Sequence, residues 1–405
     1  MEAVLKENIG FQRTKLGLIP CDWSLDDLGN IAEIKMGQSP SSSSYNSEGI
    51  GKYLIQGNAD IKDRKSNPRN WTSEPTKTCE IGETLMTVRA PVGAVAKALH
   101  SACIGRGMCS IISTQINNEF LYQFLLSYEN SWKRIEQGST FTAINGNDIK
   151  KLKIPIPPIR EQQKIAKILS IWDESIEETQ NLIEQLQLRK KGLMQELLSG
   201  KKRLTGFSEK WNEIKLGDVT NRITKKNTEL NDTVITISAQ RGFIRQEDYF
   251  KKRVASETLS GYYLIEKGHF AYNKSYSNGY PMGAFKRLDR LDKAVVTTLY
   301  ICFEAKENVD SDFLLNYFEG GMITKNLTRI AQEGGRAHGL LNIGINDFFS
   351  LKLTVPSLSE QKEISKVLNI ADEEINSKLD YLEYLKEQKK GLMQQLLTGQ
   401  KRVKI

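Results

Sequence analysis

The sequence predicts an α/β (α+β) protein in which two mixed α/β domains are separated by a pair of long antiparallel coiled-coil helices, the halves related by a pseudo-twofold internal repeat. Three observations carry this prediction. A helical segment recurs at a fixed offset, both copies hold a heptad seam, and each follows a stretch with the short apolar runs of a mixed sheet.

The repeat organises the rest. Pro157-Pro158-Ile159-Arg160-Glu161-Gln162-Gln163 precedes a helical pattern ending KKGLMQELLSGKKR, and Pro356-Ser357-Leu358-Ser359-Glu360-Gln361-Lys362 precedes one ending KKGLMQQLLTGQKR. The offset is 199 without a gap, so Glu161 matches Glu360, Asp173-Glu174 matches Asp372-Glu373, and Lys190 matches Lys389. Upstream, Asn147-Asp148 and Leu152-Lys153 match Asn346-Asp347 and Leu351-Lys352. Near the start of each half, Trp23 with Leu28-Gly29 matches Trp211 with Leu216-Gly217 at an offset of 188. Between these anchors, 30–145 and 218–340 share almost nothing that aligns. The predicted divisions are a first domain over 1–157, a central helix over 158–204, a second domain over 205–356 and a second helix over 357–405.

The helices follow from periodicity. Ile165, Leu169, Trp172, Ile176, Thr179, Ile183, Leu186, Lys190, Leu193 and Leu197 keep strict 4-3 spacing, as do Ile364, Leu368, Ala371, Ile375, Lys378, Leu382, Leu385, Lys389, Leu392 and Leu396; this is the seam of a left-handed coiled coil. Each begins after a proline-containing segment that ends a strand. Each stops at Gly200 or Gly399, suited to a left-handed C-terminal cap. A lone seam of this kind reads as a homodimer, but two matched copies in one chain predict pairing with each other. Thr179/Lys378 and Lys190/Lys389 interrupt both seams at matched places, either to set register or to contact another subunit.

The two intervening segments read as small sheets with a helix. Apolar runs at 52–57, 83–99 and 109–113 precede a helical pattern over 120–135; runs at 234–244, 268–276 and 294–305 precede one over 312–318. Their loops collect residue types that read or hold nucleic acid. The first offers Gln38, Ser39, Tyr45, Gln56, Asn58, Lys62, Arg64, Lys65 and Arg89; the second offers Gln240, Arg241, Lys274, Ser275, Tyr276, Asn278, Tyr280, Arg336 and His338. Gln and Asn can bond adenine bidentately and Arg or Lys guanine, while Ser, Lys and backbone amides hold phosphates. Taken singly, each of these is more often an ordinary solvated loop residue than a base contact.

Composition narrows the function classes. The net charge is +8 with no single basic tail, which fits a polyanionic partner recognised by shaped surfaces. Five cysteines without a C-x-x-C, and only three histidines far apart, argue against disulfide frameworks, structural zinc and metal-assisted hydrolysis. Apolar runs fall far short of the ~20 residues of a membrane span. The start lacks a signal-peptide layout, so a cytoplasmic location and no membrane contact are expected. Phosphate-binding G-x-x-x-x-G-K-[ST], G-x-G-x-x-G and G-x-S-x-G are all missing, and Asn67-Pro68-Arg69 fails the Asn-Pro-Pro-aromatic pattern of amino-methyltransferases.

Two variable segments, each followed by a P-x3-EQ helix ending KKGLMQ-x-LL-[ST]G-x-KR, resemble the specificity subunit of type I restriction-modification systems over essentially the whole chain. GLIPCDW at 17–23, LIQGNADIK at 54–62, APVGAVA at 90–96, AYNKSYSNGYPMGAFKRL at 271–288 and GGRAHGLLNI at 334–343 look like that family's target-recognition domains. The resemblance implies double-stranded DNA as ligand, with no catalysis and no metal or cofactor on this chain. It implies as partners two modification (methyltransferase) subunits and two restriction subunits, which would hold S-adenosylmethionine, ATP and Mg. An asymmetric site in two parts would follow, spaced by helices of about 60 Å at 1.5 Å per residue. The rival readings are a coiled-coil adaptor without sequence specificity, and a nuclease or methyltransferase acting alone.

Overall fold

A computed structural model describes residues 10–138, 143–250, 258–331 and 341–405. Four helices frame it: α1 (Asn118–Gly138), α2 (Ile159–Leu197), α3 (Ser311–Glu319) and α4 (Leu358–Leu396). The chain divides into two compact units, Met1–Gln180 with Asp380–Ile405, and Asn181–Leu379. Each long helix therefore lends one part to each unit. Within the described residues, no helix is long and apolar enough to cross a membrane.

In the first unit a six-stranded sheet runs in the order Ala32–Met36, Met108–Ser113, Thr84–Thr87, Val95–Lys97, Lys65–Ser66, Ile61–Lys62. A five-stranded sheet runs Thr78–Cys79, Ala102–Ile104, Lys52–Ile55, Asn70–Thr72, Tyr45–Asn46. Met86, Val95, Cys109 and Ile111 pack with Leu121 and Leu125 of α1. Ile55, Leu85, Ala96, Ile104 and Met108 form a second apolar cluster in this unit. Short apolar runs bounded by Gly, Pro and Ser are what placed these strands as sheet in the sequence, and Thr84–Thr87 is buried at every position.

The second unit has a four-stranded sheet in the order Thr220–Ile223, Ile301–Ala305, Phe270–Asn273, Ala284–Arg287, beside a hairpin of Ile235–Ser238 with Gly242–Arg245 and a two-stranded pairing of Tyr263–Glu266 with Lys293–Val296. Its core is aromatic: Phe270 stacks on Phe303 at 5.2 Å, and Phe285 on Phe318 at 4.3 Å. The apolar run at 294–305 is two strands, since Lys293–Val296 pairs with Tyr263–Glu266 while Ile301–Ala305 joins the larger sheet. The break falls at a turn in which the Tyr300 amide donates to the Thr297 carbonyl.

The seams behave as their spacing requires. Ile165, Leu169, Thr179, Ile183, Leu186 and Leu197 are buried in α2, and Ile364, Leu368, Ile375, Leu382, Leu385 and Leu396 in α4. The helices pair within the chain and antiparallel. Lys389 meets Asp173 at 2.5 Å in the first unit, and Lys190 meets Asp372 at 2.5 Å in the second. Lys190 and Lys389, which interrupt the seams at matched places, thus cross to a carboxylate on the other helix. Burial pushes the Lys389 ammonium below its ordinary pKa, against the pull of Asp173. Both helices end as predicted, with Gly200 at φ 70° and Gly399 at φ 71°, a conformation that favours glycine.

The repeat anchors become equivalent contacts. Ser24–Asp27 pairs with Lys153–Ile156, and Asn212–Lys215 with Lys352–Val355. Arg402 donates from Nε and Nη2 to the two oxygens of Glu161, both at 2.7 Å, and lies over the Trp23 ring. Arg203 does the same to Glu360 at 2.6 and 2.7 Å, over Trp211. The copies differ in one detail. Trp23 Nε1 donates to Glu161 and Arg402 also grips Asp22, whereas Trp211 Nε1 has no partner. The Arg402 guanidinium, bonded by Glu161, is held above its usual range, and in turn it lowers the Asp22 carboxyl.

Glu360 is 1% exposed, so removing its partner leaves a buried charge uncompensated. Arg203→Met is expected to cost about 3–5 kcal/mol, measured by urea denaturation followed by tryptophan fluorescence. A loss below about 1 kcal/mol, the scale of an exposed ion pair, would contradict the account of this junction.

Candidate nucleic-acid interface

In the first unit, loops from three strands converge on Gly105-Arg106-Gly107. The Gln38 amide donates to the Ile104 carbonyl at 2.9 Å, the Arg106 amide donates to Ser39 Oγ at 3.1 Å, and the Gly105 amide donates to the Ile55 carbonyl at 2.8 Å. Gly107 is required by closeness: a Cβ there would sit 2.3 Å from the Gln56 carbonyl oxygen. The Val88 amide donates to the Gly107 carbonyl at 2.9 Å, bringing Arg89 alongside. Gln38, Gln56, Arg89 and Arg106 are all exposed, and Ser39 is half-buried. Arg106 was not among the sequence candidates. Its signal was available, an arginine between two glycines at a strand turn.

The remaining first-unit candidates divide. Tyr45 is half-buried, its hydroxyl donating to the Pro40 carbonyl at 3.3 Å. Asn58 and Lys62 are exposed; Asn58 opens the short helical turn that places Asp60, whose carboxylate accepts from the Gln56 amide at 2.8 Å and from Arg69 Nε at 3.2 Å. Arg64 pairs with Glu129 of α1, and Lys65 with Glu177 of α2. These two cations face the helices and are not part of the Gly105–Gly107 cluster.

In the second unit, Ser277 and Tyr280 close a tight turn. Gln240 Nε2 donates to the Asn278 carbonyl at 3.0 Å, joining this turn to the loop that carries Arg241. The Ser275 amide donates to Asn273 Oδ1 at 3.1 Å, and the Lys274 carbonyl accepts from the Leu341 amide at 3.0 Å. Gln240, Arg241, Tyr276 and Asn278 are exposed, Tyr276 by 64%. Tyr280 is turned inward: its hydroxyl donates to Glu319 Oε2 at 2.9 Å, and burial pushes the phenol pKa up. Arg336 and His338 lie outside the described residues.

Each unit thus carries a loop cluster rich in amide and guanidinium donors, built on its sheet. Among the described residues, Arg89, Arg106, Arg241 and Lys274 enter no ion pair. Such donors, held by backbone bonds and left without carboxylates, suit an anionic polymer with hydrogen-bonding edges. The class defined is a protein of two sheet domains, each with a donor-rich loop cluster and each packed on parts of the same two long helices.

The comparisons agree. Residues 20–188 and 208–383 match the type I restriction modification DNA specificity domain, and the chain belongs to that family. It is 40% identical over 202 residues, 49% of this chain and 48% of the relative, to a putative type I restriction enzyme MjaX specificity subunit of Methanocaldococcus jannaschii. It is 33% identical over 179 residues, 41% of each chain, to the MjaIX specificity subunit, and 27% identical over 314 residues, 70% of each, to the MjaVIII specificity subunit of the same organism. The chain spans about half the length, or less, of the first two. The fold is similar to that of a type I restriction-modification S subunit from M. genitalium, with a TM-score of 0.58, 17% identity and 97% of both chains covered. A chain from a structure of type I R-M complex assembly gives a TM-score of 0.55 at 16% identity, covering 94% of this chain and 99% of that one.

Proposed function

We propose that this chain is the DNA-reading subunit of a type I restriction-modification complex. It reads an asymmetric site in two parts, one with each loop cluster, and recruits two modification subunits and two restriction subunits. The observation that carries this reading is the pair of dissimilar donor clusters, each mounted on one copy of the same helical junction. Gln38, Gln56, Arg89 and Arg106 offer base-edge donors in one domain, and Gln240, Arg241, Lys274 and Asn278 in the other. Because the clusters differ, the two half-sites differ.

The chain supplies recognition and no chemistry of its own in this reading. S-adenosylmethionine belongs to the modification subunits, and ATP and Mg to the restriction subunits. The complex methylates adenine and cleaves DNA in the cytoplasm.

Methylation mapping in cells with and without the chain tests the reading directly. Replacing residues 30–145 with the matching segment of a relative should change one half-site and leave the other intact. Both changing together, or no sequence-specific methylation at all, would sink it. Adding a heptad after Ile183 and another after Leu382 keeps both seams in register and adds about 10 Å. At ~3.4 Å per base pair the unread spacer should lengthen by up to about three base pairs.

The clusters also predict which cations matter. Arg106→Ala should weaken binding to the cognate duplex by about 1–3 kcal/mol and relax base preference, read by fluorescence anisotropy at fixed salt. Lys65→Ala should leave affinity within about 0.5 kcal/mol, since Lys65 is engaged with Glu177 on the helix side. The reverse order of effects would show that the Gly105–Gly107 cluster is not the reading surface.

A further inference from the structure

The two domains share a second set of contacts to the long helices that the repeat does not include. Asn117 caps α1, its Oδ1 accepting from the Phe120 amide at 2.9 Å, and Asp310 caps α3 by accepting from the Phe313 amide at 2.8 Å. The Asn117 amide donates to Gln162 Oε1 at 2.8 Å, and the Asp310 amide donates to Gln361 Oε1 at 2.9 Å. Two residues further on stand Glu119 and Asp312. Ser170 of α2 donates to Glu119 at 3.0 Å; Asn369 of α4, the matched position, donates to Asp312 at 2.9 Å. Each carboxylate also holds a cation from its own domain's sheet, Lys97 at 2.5 Å and Arg287 at 2.6 Å.

Apolar packing joins each domain to its helices on one side, through Phe120 against Ile165 and Leu169 in the first unit and Phe313 against Ile364 and Leu368 in the second. In the first unit an open cleft of about 820 Å³ lies between sheet and helices, with Glu119, Lys97, Ser170, Asp173 and Lys389 in its wall. In the second it measures about 560 Å³, with Asp312, Arg287, Asn369, Asp372 and Lys190 in the wall. On the cleft side that packing is replaced by directional bonds, among them Gln123 to Asp173 at 2.7 Å in the first unit, and these limit tilt. Each carboxylate supplies such a bond to both sides at once.

We propose that Glu119 and Asp312 are positioning residues that fix the tilt of each domain on its helices and thereby restrict the spacing accepted between the half-sites. The inference rests on the DNA-reading function proposed above. A base-pair step is ~3.4 Å, so a small tilt of a reading loop is enough to bring a neighbouring spacing into reach. Contacts to bases lie in other loops and are untouched by the latch.

The test uses the full chain assembled with its modification subunits and a plasmid library in which both half-sites are fixed and the spacer is varied. The wild type is expected to methylate one spacing. In Glu119→Ala and Asp312→Ala, methylation at spacings one base pair shorter or longer, relative to the native one, should rise about tenfold, the scale of losing a charge-assisted hydrogen bond. Base preference within each half-site should stay as it was. Asp312→Glu and Asn369→Ser, which install the residues used in the first unit, should keep the native spacing. Should Glu119→Ala fail to assemble, Ser170→Ala cuts the same bond from the helix side and should relax spacing in the same direction. Unchanged spacing in an assembled Glu119→Ala or Ser170→Ala complex would overturn the proposal, as would altered base preference at fixed spacing. A wild-type complex that methylates no bipartite site would instead refute the DNA-reading function itself, before any variant is compared.

Discussion

A buried carboxylate at the first turn of each long helix is the constraint on which the remaining structure depends. Glu161 and Glu360 are fully removed from water, a position tolerable for an ionised group only with strong partners. The helix N-terminus favours negative charge, and a bidentate guanidinium completes the neutralisation. In both units that guanidinium comes from the segment that follows the far end of the other long helix. Its reach ties the start of one helix to the finish of its antiparallel neighbour, and the tryptophan beneath it ties both to the opening strand of the domain. The adjacent glutamine has a separate task. Gln162 donates to the Pro157 carbonyl and accepts from the α1 amide, as Gln361 does with Pro356 and α3. Two neighbouring residues thus fix helix to helix and helix to domain.

The recognition domains are constrained on one side and free on the other. Toward the helices, the Glu–Arg, Gln–cap and carboxylate contacts recur at matched positions although the sheets differ in strand number, while the Trp23–Glu161, Arg402–Asp22 and Lys65–Glu177 contacts belong to the first unit. At the loop clusters nothing coincides: the first is built on closely approaching glycines, the second on a tight turn and a glutamine tether. This is the pattern expected where assembly must be conserved in form while the surface that meets the ligand varies in content.

The long helices were legible because heptad spacing over ten positions has few other physical causes, and the glycine caps and proline entries marked their ends. The antiparallel pairing was legible from two copies in one chain. The match between α1 and α3 was not, because only the cap and the phenylalanine are near-identical, in Asn117-x-x-Phe120 and Asp310-x-x-Phe313, and the carboxylates differ in length. Among the reading candidates, residue type alone could not say which side of a domain a cation faces. Arg64 and Lys65 carry the right chemistry, yet the turn at Asp63-Arg64 and the strand that starts at Lys65 direct them to Glu129 and Glu177. Arg106 was passed over because its importance comes from loops brought together by the fold, which no local pattern contains.

The Arg402 pair has a consequence for the order in which the molecule can be completed. Glu161 and Arg402 are 241 residues apart, and the same unit needs Leu396 and Leu397 to cover Ile165 and Leu169. At ribosomal rates of ~5–20 residues per second, the first domain and its half of α2 wait roughly 10 to 50 s for these partners to be made. The second unit draws on a contiguous stretch and has every part of its core before then. Domain order in the chain and order of completion during synthesis are therefore opposite, and the nascent first domain passes that interval with an apolar seam uncovered.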